Sequence, residues 1–513
     1  MIKEKTFNEY FEKQVRKYGK LPCLTDGETG EIWTYKELNS KVNQTVNFLK
    51  TMGLKKGDRF ASIMRNYPEF LFFYLTSMKL GTLIVPMAVD LPPKKIADNF
   101  RRFGISLAIV DEENLLKFDE VRKELGSIKV FSLGKENNIS KELSKMSSDV
   151  GEIKFPTINT PGSLYCSSGT TGEPKGIPQS PKNLLTAGES LAEAYGFGSS
   201  DKQMGILPCY HTALATYGFW PSFCVGSEFV LFKKFSKSNF WINIEKYRIV
   251  FTETVPTMLI MLMNPPEDIS RYDMNSLKFI GSGSATLLPE VHRKFEDTFG
   301  VIVCNKYGLT ETEPTNFNPP QREFRKEGSI GKALPMCEVR VMKENGSFCK
   351  PGEIGEIIMK GDNVVDGYFN NEEETRKAFV NGWFHSGDMG YYDQDGFYFL
   401  VSRKKDIIIR GGSNIYPDEV DRILFSHPTI LESATFGIPD EIYGEEVMSC
   451  IVLKKGSNIT EEDLIKYCQE RLEKYKCPKK IKFVDNIPKT PSGKLSRRKV
   501  IEFVIKEDKN EVF

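Results

Sequence analysis

Apolar residues follow two different spacings along the chain, and each spacing predicts a type of secondary structure. Short apolar runs, such as residues 60–64, 83–85 and 107–110, predict buried strands. Between them lie segments with apolar residues at helical spacing, the clearest of which follows a capping box at residues 34–37 and stops at Gly53. This alternation predicts layered α/β domains with largely buried sheets.

The most apolar stretch of the chain, residues 70–89, is interrupted by Lys79, Gly81 and Pro86. A membrane-spanning helix would need roughly twenty predominantly apolar residues without such breaks. The pattern therefore predicts a buried helix followed by a buried strand, and we expect no integral membrane association.

The pattern changes to a hairpin between about residues 390 and 410, with Asp395-Gly396 at its turn and a basic cluster at residues 403–405. Further helices are predicted to begin at Pro417, which suits a first helical turn, and after Thr460, which suits an N-cap. A boundary at the hairpin leaves a C-terminal domain of about one hundred residues, a usual domain size. The predicted domains are residues 1–403 and 404–513.

Composition excludes several classes of protein. A chain of 513 residues predicts two or more domains, and its 70 basic and 69 acidic residues argue against a nucleic-acid surface or a polybasic membrane anchor. The ten cysteines form no C-x-x-C pair, which fits neither a zinc site nor a secreted disulfide framework. The polar first residues are unlike a signal peptide, so we expect a cytoplasmic, reduced protein.

One loop has the composition of a phosphate site. Residues 166–176, CSSGTTGEPKG, contain four hydroxyls, three glycines and a lysine. Glycine lets backbone N–H groups converge on an anion, hydroxyls add donors and lysine adds charge. The nucleotide-binding pattern G-x-x-x-x-G-K-[ST] is absent, because Gly169 and Lys175 are not spaced for it. On its own, the segment fits a polar surface turn equally well.

Four further segments favour a phosphate site over a surface turn for residues 166–176. They are YGLTET at 307–312, WFHSGD at 383–388, SRKKD at 402–406 and PKTPSGK at 488–494. Each alone fits a solvated turn, but together, in this order, they resemble the adenylate-forming superfamily of acyl-CoA synthetases, luciferases and peptide-synthetase adenylation domains. The stretch 475–494 looks most like the acyl-CoA synthetases.

The resemblance covers nearly the whole chain and implies both a fold and a reaction. The fold is a large N-terminal adenylate-forming domain of several subdomains, followed by a small, mobile α+β C-terminal domain. The reaction uses ATP and Mg²⁺ to convert a carboxylic acid into an acyl-adenylate with release of pyrophosphate, and then transfers the acyl group to CoA. Adenylation is needed because a carboxylate would otherwise have to expel oxide.

The resemblance also implies roles for individual residues in the first half-reaction. Lys494 would lie between the substrate carboxylate and the α-phosphate, Thr310 would hydrogen-bond that phosphate, and Glu311 would hold Mg²⁺, which needs only one or two protein carboxylates. The loop residues implied in binding the β- and γ-phosphates are Ser167, Ser168, Gly169, Thr170, Thr171, Gly172 and Lys175.

Other implied roles concern the nucleoside and the acid. Tyr307 would lie against adenine, Asp388 would accept both ribose hydroxyls, and Arg403 would contact ribose or phosphate. The turn that would border the adenine and acyl sites consists of Gly283, Ser284 and Ala285. His211 would lie at the mouth of the acyl pocket, although a structural histidine is the alternative.

The resemblance further implies that the C-terminal domain rotates between the two half-reactions. Lys405 matches the hinge position, and rotation would withdraw Lys494 while bringing residues 411–415 toward the pantetheine channel. A solvated basic turn is the alternative for residues 403–405, and we prefer it for Lys404.

Six positions depart from the superfamily pattern without removing a charged catalytic group. They are Cys166, Ser167, Pro181, Ser284, Thr286 and Ser402. Of these, Ser284 stands where a glycine is usual, and its hydroxyl is expected to narrow or polarise the acyl pocket.

The identity of the acid is left open by the sequence. Residues 209–225 predict a helix near the acyl site, whose aromatic side chains either line an apolar tunnel or belong to the core. Those aromatic residues are Tyr217, Phe219, Trp220 and Phe223. Some short stretches resemble carnitine-type CoA ligases and others resemble fatty-acid ligases, and we favour a fatty or other hydrophobic acid.

Three functions are compatible with the sequence. The favoured one is an acid–CoA ligase, the second an adenylating enzyme that loads a carrier protein, and the third a non-catalytic adenylate-binding protein. The presence of both Lys494 and Glu311 disfavours the third, because binding alone has no chemical need for this pair.

Overall fold

A computed structural model of the protein describes residues 2–126, 128–134, 138–167, 175–489 and 495–510. The chain divides into two compact units. The first contains Met1–Leu287, His292–Val339 and Met359–His385, and the second contains Leu288–Val291, Arg340–Ile358 and Ser386–Phe513. The boundary between residues 403 and 404 stays a prediction.

The helices alternate with strands, as the spacing of apolar residues predicts. In chain order they are α1 (Phe7–Tyr18), α2 (Tyr35–Thr51), α3 (Pro68–Leu80), α4 (Pro93–Phe103), α5 (Leu115–Leu125), α6 (Ile139–Ser144), α7 (Pro181–Tyr195), α8 (Trp220–Val225), α9 (Phe240–Tyr247), α10 (Pro256–Leu262), α11 (Pro289–Phe299), α12 (Glu372–Ala378), α13 (Pro417–Phe425), α14 (Glu461–Gln469) and α15 (Arg497–Asn510).

The strands are short and mostly buried. In chain order they are β1 (Pro22–Asp26), β2 (Ile32–Thr34), β3 (Arg59–Ile63), β4 (Leu83–Pro86), β5 (Ile105–Val110), β6 (Lys129–Ser132), β7 (Ser163–Ser167), β8 (Lys175–Gln179), β9 (Lys202–Gly205), β10 (Glu228–Leu231), β11 (Phe251–Thr254), β12 (Phe279–Ser282), β13 (Val303–Leu309), β14 (Glu313–Phe317), β15 (Lys332–Ala333), β16 (Cys337–Met342), β17 (Gly355–Gly361), β18 (Phe379–Val380), β19 (Trp383–Tyr392), β20 (Tyr398–Arg403), β21 (Ile408–Arg410), β22 (Ser413–Ile415), β23 (Ile430–Asp440), β24 (Gly444–Leu453) and β25 (Lys480–Phe483).

Local signals in the sequence fix the ends of several helices. The Thr34 side chain accepts a hydrogen bond from the Glu37 backbone and completes the predicted capping box of α2. The buried helix and strand predicted for residues 70–89 are α3 and β4. Thr460 caps α14 as predicted, and α13 begins at Pro417.

Two largely parallel sheets form the framework of the first unit. One has the strand order β6-β5-β3-β4-β7-β8, in which β8 runs antiparallel to β7. The other has the order β15-β14-β13-β12-β11-β9-β10-β1-β2. In this second sheet β9 to β13 are parallel, so their carboxyl ends share one edge, where open α/β sheets bind ligands.

The core of the first unit is rich in aromatic side chains. Trp220 of α8 contacts Phe7 of α1 edge-on, and its indole N–H donates to the Tyr74 hydroxyl of α3. Full burial of such a side chain contributes roughly 1.5–3 kcal/mol. The packing of these helices against the sheets therefore holds the strand ends in place.

A hairpin and a small sheet characterise the second unit. Strands β19 and β20 pair antiparallel, which confirms the hairpin predicted around residue 395. Another sheet has the order β22-β21-β24-β23, with β25 added parallel to β24, and α13 and α14 pack on its buried face. Among the described residues, no helix combines the length and apolar character needed to cross a membrane.

Candidate active site

The predicted phosphate loop is carried by the β7–β8 hairpin. Ser167 and Lys175 pair in register at the ends of the two strands, while Ser168, Gly169, Thr170, Thr171 and Gly172 lie outside the described residues. Lys175 Nζ forms an ion pair with Glu374 Oε2 at 2.6 Å and lies 4.6 Å from the centroid of the Tyr368 ring. A largely buried cation is therefore held at the base of this loop.

Glu311, the predicted Mg²⁺ ligand, lies in the turn between β13 and β14 and is 9% exposed. The Tyr368 hydroxyl donates a hydrogen bond to Glu311 Oε1 at 3.1 Å. Burial and the adjacent Glu311 charge raise the pKa of Tyr368, which keeps this hydroxyl protonated. Tyr368 therefore contacts both Lys175 and Glu311, a connection that the sequence did not predict.

The donor set at Glu311 fits a hard cation that is held chiefly by phosphate. Among the described residues, no group of three or more histidine, cysteine or acidic side chains is arranged to hold a metal ion. Mg²⁺ is characteristically bound through one or two carboxylates together with substrate phosphates. A lone, largely buried Glu311 is compatible with such a site.

Gln179 connects three of the sequence motifs. Its side-chain amide nitrogen, which has two hydrogens to donate, lies within hydrogen-bonding distance of three acceptors: the Thr310 carbonyl at 3.1 Å, Thr212 Oγ1 at 3.1 Å and the Glu313 carboxyl group. The phosphate-loop strand, the segment after His211 and the 307–312 turn are thereby tied together. Neither Gln179 nor Glu313 was predicted as a site residue, although the repeated acids at positions 311 and 313 were a usable signal.

Glu313 is an unusual buried acid. It is 1% exposed, its backbone φ is 55°, and its second oxygen, Oε2, has no hydrogen-bond partner among the residues that the structure describes. Burial raises the pKa of Glu313 well above its usual range, with the charge of Glu311 adding to the effect. Burial therefore favours the protonated, neutral form of this carboxyl group.

The turn predicted to border the adenine and acyl sites follows the carboxyl end of β12. Gly283 is buried, Ala285 is exposed, and Ser284 adopts a left-handed φ of 63°. Glycine reaches that region freely, whereas a serine there is uncommon and strained, so the departure at Ser284 keeps the turn shape at a cost. Tyr307 is buried in β13, opposite Asn316 of β14.

The predicted helix over residues 209–225 is present as a helical run that includes a π-helical segment, Leu214–Phe219, followed by α8. A π-helical segment is often found at functional sites. His211 is exposed immediately before this run, with its ring 4.9 Å from the ring of Tyr210. Its role stays a prediction.

The second unit contains the predicted ribose residues. Asp388 and Arg403 face each other in the β19–β20 register, and Arg403 Nε lies 2.6 Å from Asp388 Oδ1. The Asp388 side chain is buried, and its backbone N–H donates to Ser386 Oγ at 3.0 Å. The structure thus brings these two predicted residues together, with Arg403 in contact with the Asp388 carboxylate and Ser386 in contact with the Asp388 backbone.

The residues after Arg403 form a short 3₁₀ turn, Lys404–Asp406, in which Lys405 is exposed. Lys404 Nζ lies 3.2 Å from Glu356 Oε2. The exposed position of Lys405 suits a hinge, and that role stays a prediction. In the predicted CoA-facing segment, Gly411 and Gly412 have φ values of 55° and 82°, which favour glycine.

The predicted catalytic Lys494 lies outside the described residues. The described residues on either side, Lys489 and Leu495, form an antiparallel bridge. Arg497, three residues after Lys494, is 9% exposed, and its guanidinium contacts Asp418 at 2.7 Å and Asp421 at 2.6 Å. The chain is therefore firmly anchored immediately after the lysine.

Comparisons with known proteins agree with this arrangement. The AMP-binding enzyme family model matches residues 11–369, and the AMP-binding enzyme C-terminal domain model matches residues 419–494. An oxalate–CoA ligase from Arabidopsis thaliana is 32% identical over 463 residues, covering 89% of this chain and 90% of that protein. A long-chain-fatty-acid–CoA ligase from Bacillus subtilis is 32% identical over 515 residues, covering 92% and 90%. ATP-bound MatB from Rhodopseudomonas palustris has a TM-score of 0.88 and 27% identity, covering 97% of this chain and 98% of that chain.

Proposed function

Because the chain belongs to the AMP-binding enzyme family, we propose that it is an acid–CoA ligase that works through an acyl-adenylate. The observation that carries the proposal is the contact of Tyr368 with both Lys175 and Glu311. That contact joins a phosphate-binding cation to a carboxylate suited to Mg²⁺. A site for magnesium-bound triphosphate requires both features together.

In the first half-reaction, a carboxylate oxygen of the acid attacks the α-phosphorus of ATP. The bond to the β-phosphate oxygen breaks and pyrophosphate leaves. Two anions must approach each other, so the main task of the protein is to concentrate positive charge and donors around them. We assign Lys175 to the β- and γ-phosphates, Thr310 to the α-phosphate, and Lys494 to the space between the two reactants.

Glu311 would hold Mg²⁺, which when bound neutralises charge on the triphosphate. Tyr368 keeps the Glu311 carboxylate in position by donating to Oε1, and Gln179 keeps the following turn in position through the Thr310 carbonyl. The remaining phosphate-loop residues complete the site in this proposal. These residues are Ser167, Ser168, Gly169, Thr170, Thr171 and Gly172.

Two groups of residues are assigned to the nucleoside. Tyr307, with the turn at residues 283–285, borders adenine, and Asp388 accepts the two ribose hydroxyls. The contact of Arg403 with Asp388 supports this assignment, since the guanidinium holds the carboxylate in one orientation. Arg403 is then also available to contact ribose or phosphate.

In the second half-reaction, the CoA thiolate attacks the acyl carbon and AMP leaves with the bonding electrons. We propose that the C-terminal domain turns about Lys405 between the two steps. Rotation removes Lys494 and brings residues 411–415 to the pantetheine channel. The two glycines at 411 and 412 suit a close approach of backbone to the thiol arm.

The proposal also concerns which class of carboxylic acid is the substrate. The expectation of a fatty or other hydrophobic acid rests on the aromatic residues of 209–225. Phe219, Trp220 and Phe223 pack in the aromatic core with one another, and Phe223 also stacks on Tyr35, so only Tyr217 remains as a candidate lining residue. A carnitine-type acid is the alternative that the sequence kept open.

Free CoA is the proposed acceptor, and a carrier protein is the alternative. All ten cysteines are free thiols, which supports work in a reducing compartment such as the cytoplasm. A non-catalytic role is disfavoured, because the ion pair of Lys175 and the hydrogen bond to Glu311 preserve the groups that the chemistry needs.

The test is a pyrophosphate-release assay with ATP and Mg²⁺ over a panel of fatty, aryl, hydroxy- and dicarboxylic acids and carnitine, with and without CoA. Turnover that needs both an acid and CoA supports the proposal. Acid-dependent pyrophosphate exchange without CoA turnover would indicate a carrier-protein acceptor. Failure to release pyrophosphate with every acid, despite binding of an acyl-adenylate analogue, would contradict an enzymatic role.

A further inference from the structure

The cation assigned to the β- and γ-phosphates of ATP already has an anionic partner in the protein. Lys175 Nζ lies 2.6 Å from Glu374 Oε2, and the two side chains are 13% and 21% exposed. Lys175 begins β8, next to the phosphate loop, whereas Glu374 lies in the first turn of α12. A phosphate group that binds this ammonium must therefore either share it with the carboxylate or displace the carboxylate.

Sharing the ammonium is the less favourable arrangement. A carboxylate in contact with Nζ is close to any phosphate oxygen bound to the same nitrogen, so the two anions repel each other. Solvent and salt screen such a repulsion less where the groups are partly buried, as Lys175 and Glu374 are. The repulsion concerns ATP and pyrophosphate, which carry the phosphates assigned to this lysine, and not AMP, which lacks them.

Glu374 has a second cationic partner that remains when the contact with Lys175 is lost. Lys377 Nζ lies 3.1 Å from Glu374 Oε1 and 2.6 Å from Glu373 Oε1. The two lysines therefore contact different oxygens of the Glu374 carboxylate. A partly exposed ion pair contributes at most about 1 kcal/mol, so exchanging the Lys175 contact for water and Lys377 requires little free energy.

The aromatic ring of Tyr368 holds Lys175 independently of Glu374. Lys175 Nζ lies 4.6 Å from the centroid of this ring, whose face attracts an ammonium group. The ring is itself fixed, because the Tyr368 hydroxyl donates to Glu311 at 3.1 Å and the Tyr368 backbone N–H donates to Thr375 Oγ1 at 2.9 Å. Removing the charge of Glu374 should therefore leave the ammonium in place and make it available to phosphate.

We infer that Glu374 is an exchangeable counter-ion of Lys175, which the triphosphate of ATP displaces and which pairs with the ammonium again as pyrophosphate leaves. Glu374 is a positioning residue that acts through Lys175 and lowers the affinity for ATP and for pyrophosphate together. The weaker binding of ATP is accompanied by easier release of the first product. This inference rests on the proposed function, in which Lys175 contacts the β- and γ-phosphates, and adds the residue that sets its affinity for them.

The experiment compares the wild-type protein with Glu374→Gln, which removes the charge and keeps the size of the side chain. Dissociation constants for ATP with Mg²⁺ and for AMP are measured by calorimetry without any acid, and pyrophosphate is titrated as a competitor of ATP. We expect the variant to bind ATP and pyrophosphate about three- to fivefold more tightly and AMP equally well. Unchanged or weaker binding of ATP, or an equal gain for AMP, would overturn the inference. A gain for ATP without one for pyrophosphate would contradict the role in product release.

The neighbouring Glu373 provides a matched control. It lies in the same helical turn, pairs with Lys377 and is 73% exposed. Glu373→Gln removes the same charge from the same turn, and we expect its affinity for ATP to equal that of the wild-type protein. An equal gain in Glu373→Gln would indicate a general effect of net charge and contradict a specific role for Glu374.

A double-mutant cycle connects the effect to the ion pair. In a Lys175→Met background, with ATP titrated to correspondingly higher concentrations, Glu374→Gln should give no gain in ATP affinity, because the ammonium for which carboxylate and phosphate compete is absent. The same gain in both backgrounds would contradict exchange on Lys175. A wild-type protein that binds no ATP in the presence of Mg²⁺ would instead contradict the proposed function, and the inference with it.

Discussion

The Tyr368 hydroxyl lies 3.1 Å from Glu311 Oε1, although the two residues are 57 positions apart in the chain. The aromatic ring of the same tyrosine faces Lys175 Nζ. One side chain thus fixes the separation between the phosphate-loop cation and the carboxylate assigned to Mg²⁺. Since the nucleotide must satisfy both groups at once, this separation should govern how well the site receives magnesium-bound ATP.

Tyr368→Phe should weaken adenylation without unfolding the protein. The substitution keeps the ring over Lys175 and removes only the hydrogen bond to a charged group, which is worth about 1.5–3 kcal/mol. We expect kcat/KM for ATP to fall about tenfold in acid-dependent pyrophosphate exchange, with a higher Mg²⁺ requirement. The control is Tyr272→Phe, which removes another tyrosine–glutamate hydrogen bond, 2.8 Å to Glu267. Equal effects of the two substitutions would contradict a specific role for Tyr368.

Lys175→Met should raise the KM for ATP. The substitution removes the cation assigned to the β- and γ-phosphates, and losing one such preorganised charge or donor typically costs on the order of 100-fold in rate or binding. Lys182→Met is the matched control, because Lys182 pairs with Asp362 at 2.8 Å on a more exposed part of the same unit. Unchanged KM for ATP in Lys175→Met would remove the phosphate assignment.

Glu313 should make the stability of the protein fall as pH rises. Its raised pKa means that the folded protein keeps a proton that the unfolded chain releases above about pH 4.3. The contribution of this proton to the free energy of unfolding is complete below about pH 4.3. As the pH rises toward the pKa of Glu313 in the folded protein, that contribution is lost by up to about 1.4 kcal/mol per pH unit. Glu313→Gln mimics the protonated group, so the Tm of the wild-type protein relative to this variant should fall between pH 5 and pH 8.

Glu374 is a control for that experiment, because its pKa is shifted in the opposite direction from that of Glu313. The hydrogen bond from Lys175 lowers the pKa of Glu374, so its contribution is present above the unfolded pKa and is lost only as pH falls through the acidic range. The Tm difference between the wild-type protein and Glu374→Gln should therefore be nearly constant from pH 5 to pH 8. Parallel Tm curves for the wild type and Glu313→Gln would contradict the assignment of a neutral Glu313.

Arg497→Met should impair adenylation more than thioesterification. The Arg497 guanidinium contacts Asp418 and Asp421, and it lies 3.5 Å from Asp406, the residue after the proposed hinge. Releasing it loosens the segment that bears Lys494, which acts only in the first half-reaction under this proposal. We expect a loss of acyl-adenylate formation of about tenfold or more, with largely retained conversion of supplied acyl-AMP to acyl-CoA.

Two further variants test whether the effect of Arg497→Met is specific to that position. Lys494→Ala should give the same separation of half-reactions more strongly, and Arg498→Met, which removes an exposed 3.0 Å contact with Glu502, should give none. Since removing Arg497 leaves Asp421 and the partly exposed Asp418 without this partner, Tm is measured alongside. Equal loss of both half-reactions in a folded Arg497 variant would contradict its role in positioning Lys494.

The sequence predicted the elements and the chemical motifs, because both are local patterns. The Thr34 capping box, the helix and strand of residues 70–89, and the hairpin with its turn at Asp395-Gly396 all follow from neighbouring residues. Glu313 and Gln179 were missed because their contact joins positions 134 residues apart. A spacing pattern within one segment carries no information about such a partner.

The spacing of apolar residues along the chain also does not distinguish an aromatic residue that faces a ligand from one that lies in the core. Phe219 and Phe223 belong to the core, whereas Tyr217, in the same helical run, lies beside Lys306. Only the packing of the run against α1 and the sheet decides between these environments. The departure at Ser284 was visible in the sequence, but its left-handed φ of 63° required the structure.

The most direct test of the account follows oxygen from the acid to the nucleotide. An acid labelled with ¹⁸O in both carboxylate oxygens is incubated with the protein, ATP, Mg²⁺ and CoA, and the products are analysed by mass spectrometry. Attack of the carboxylate on the α-phosphorus predicts one ¹⁸O atom in each AMP released and one in the acyl-CoA. Label in orthophosphate with formation of ADP, or unlabelled AMP alongside acyl-CoA, would contradict an acyl-adenylate route.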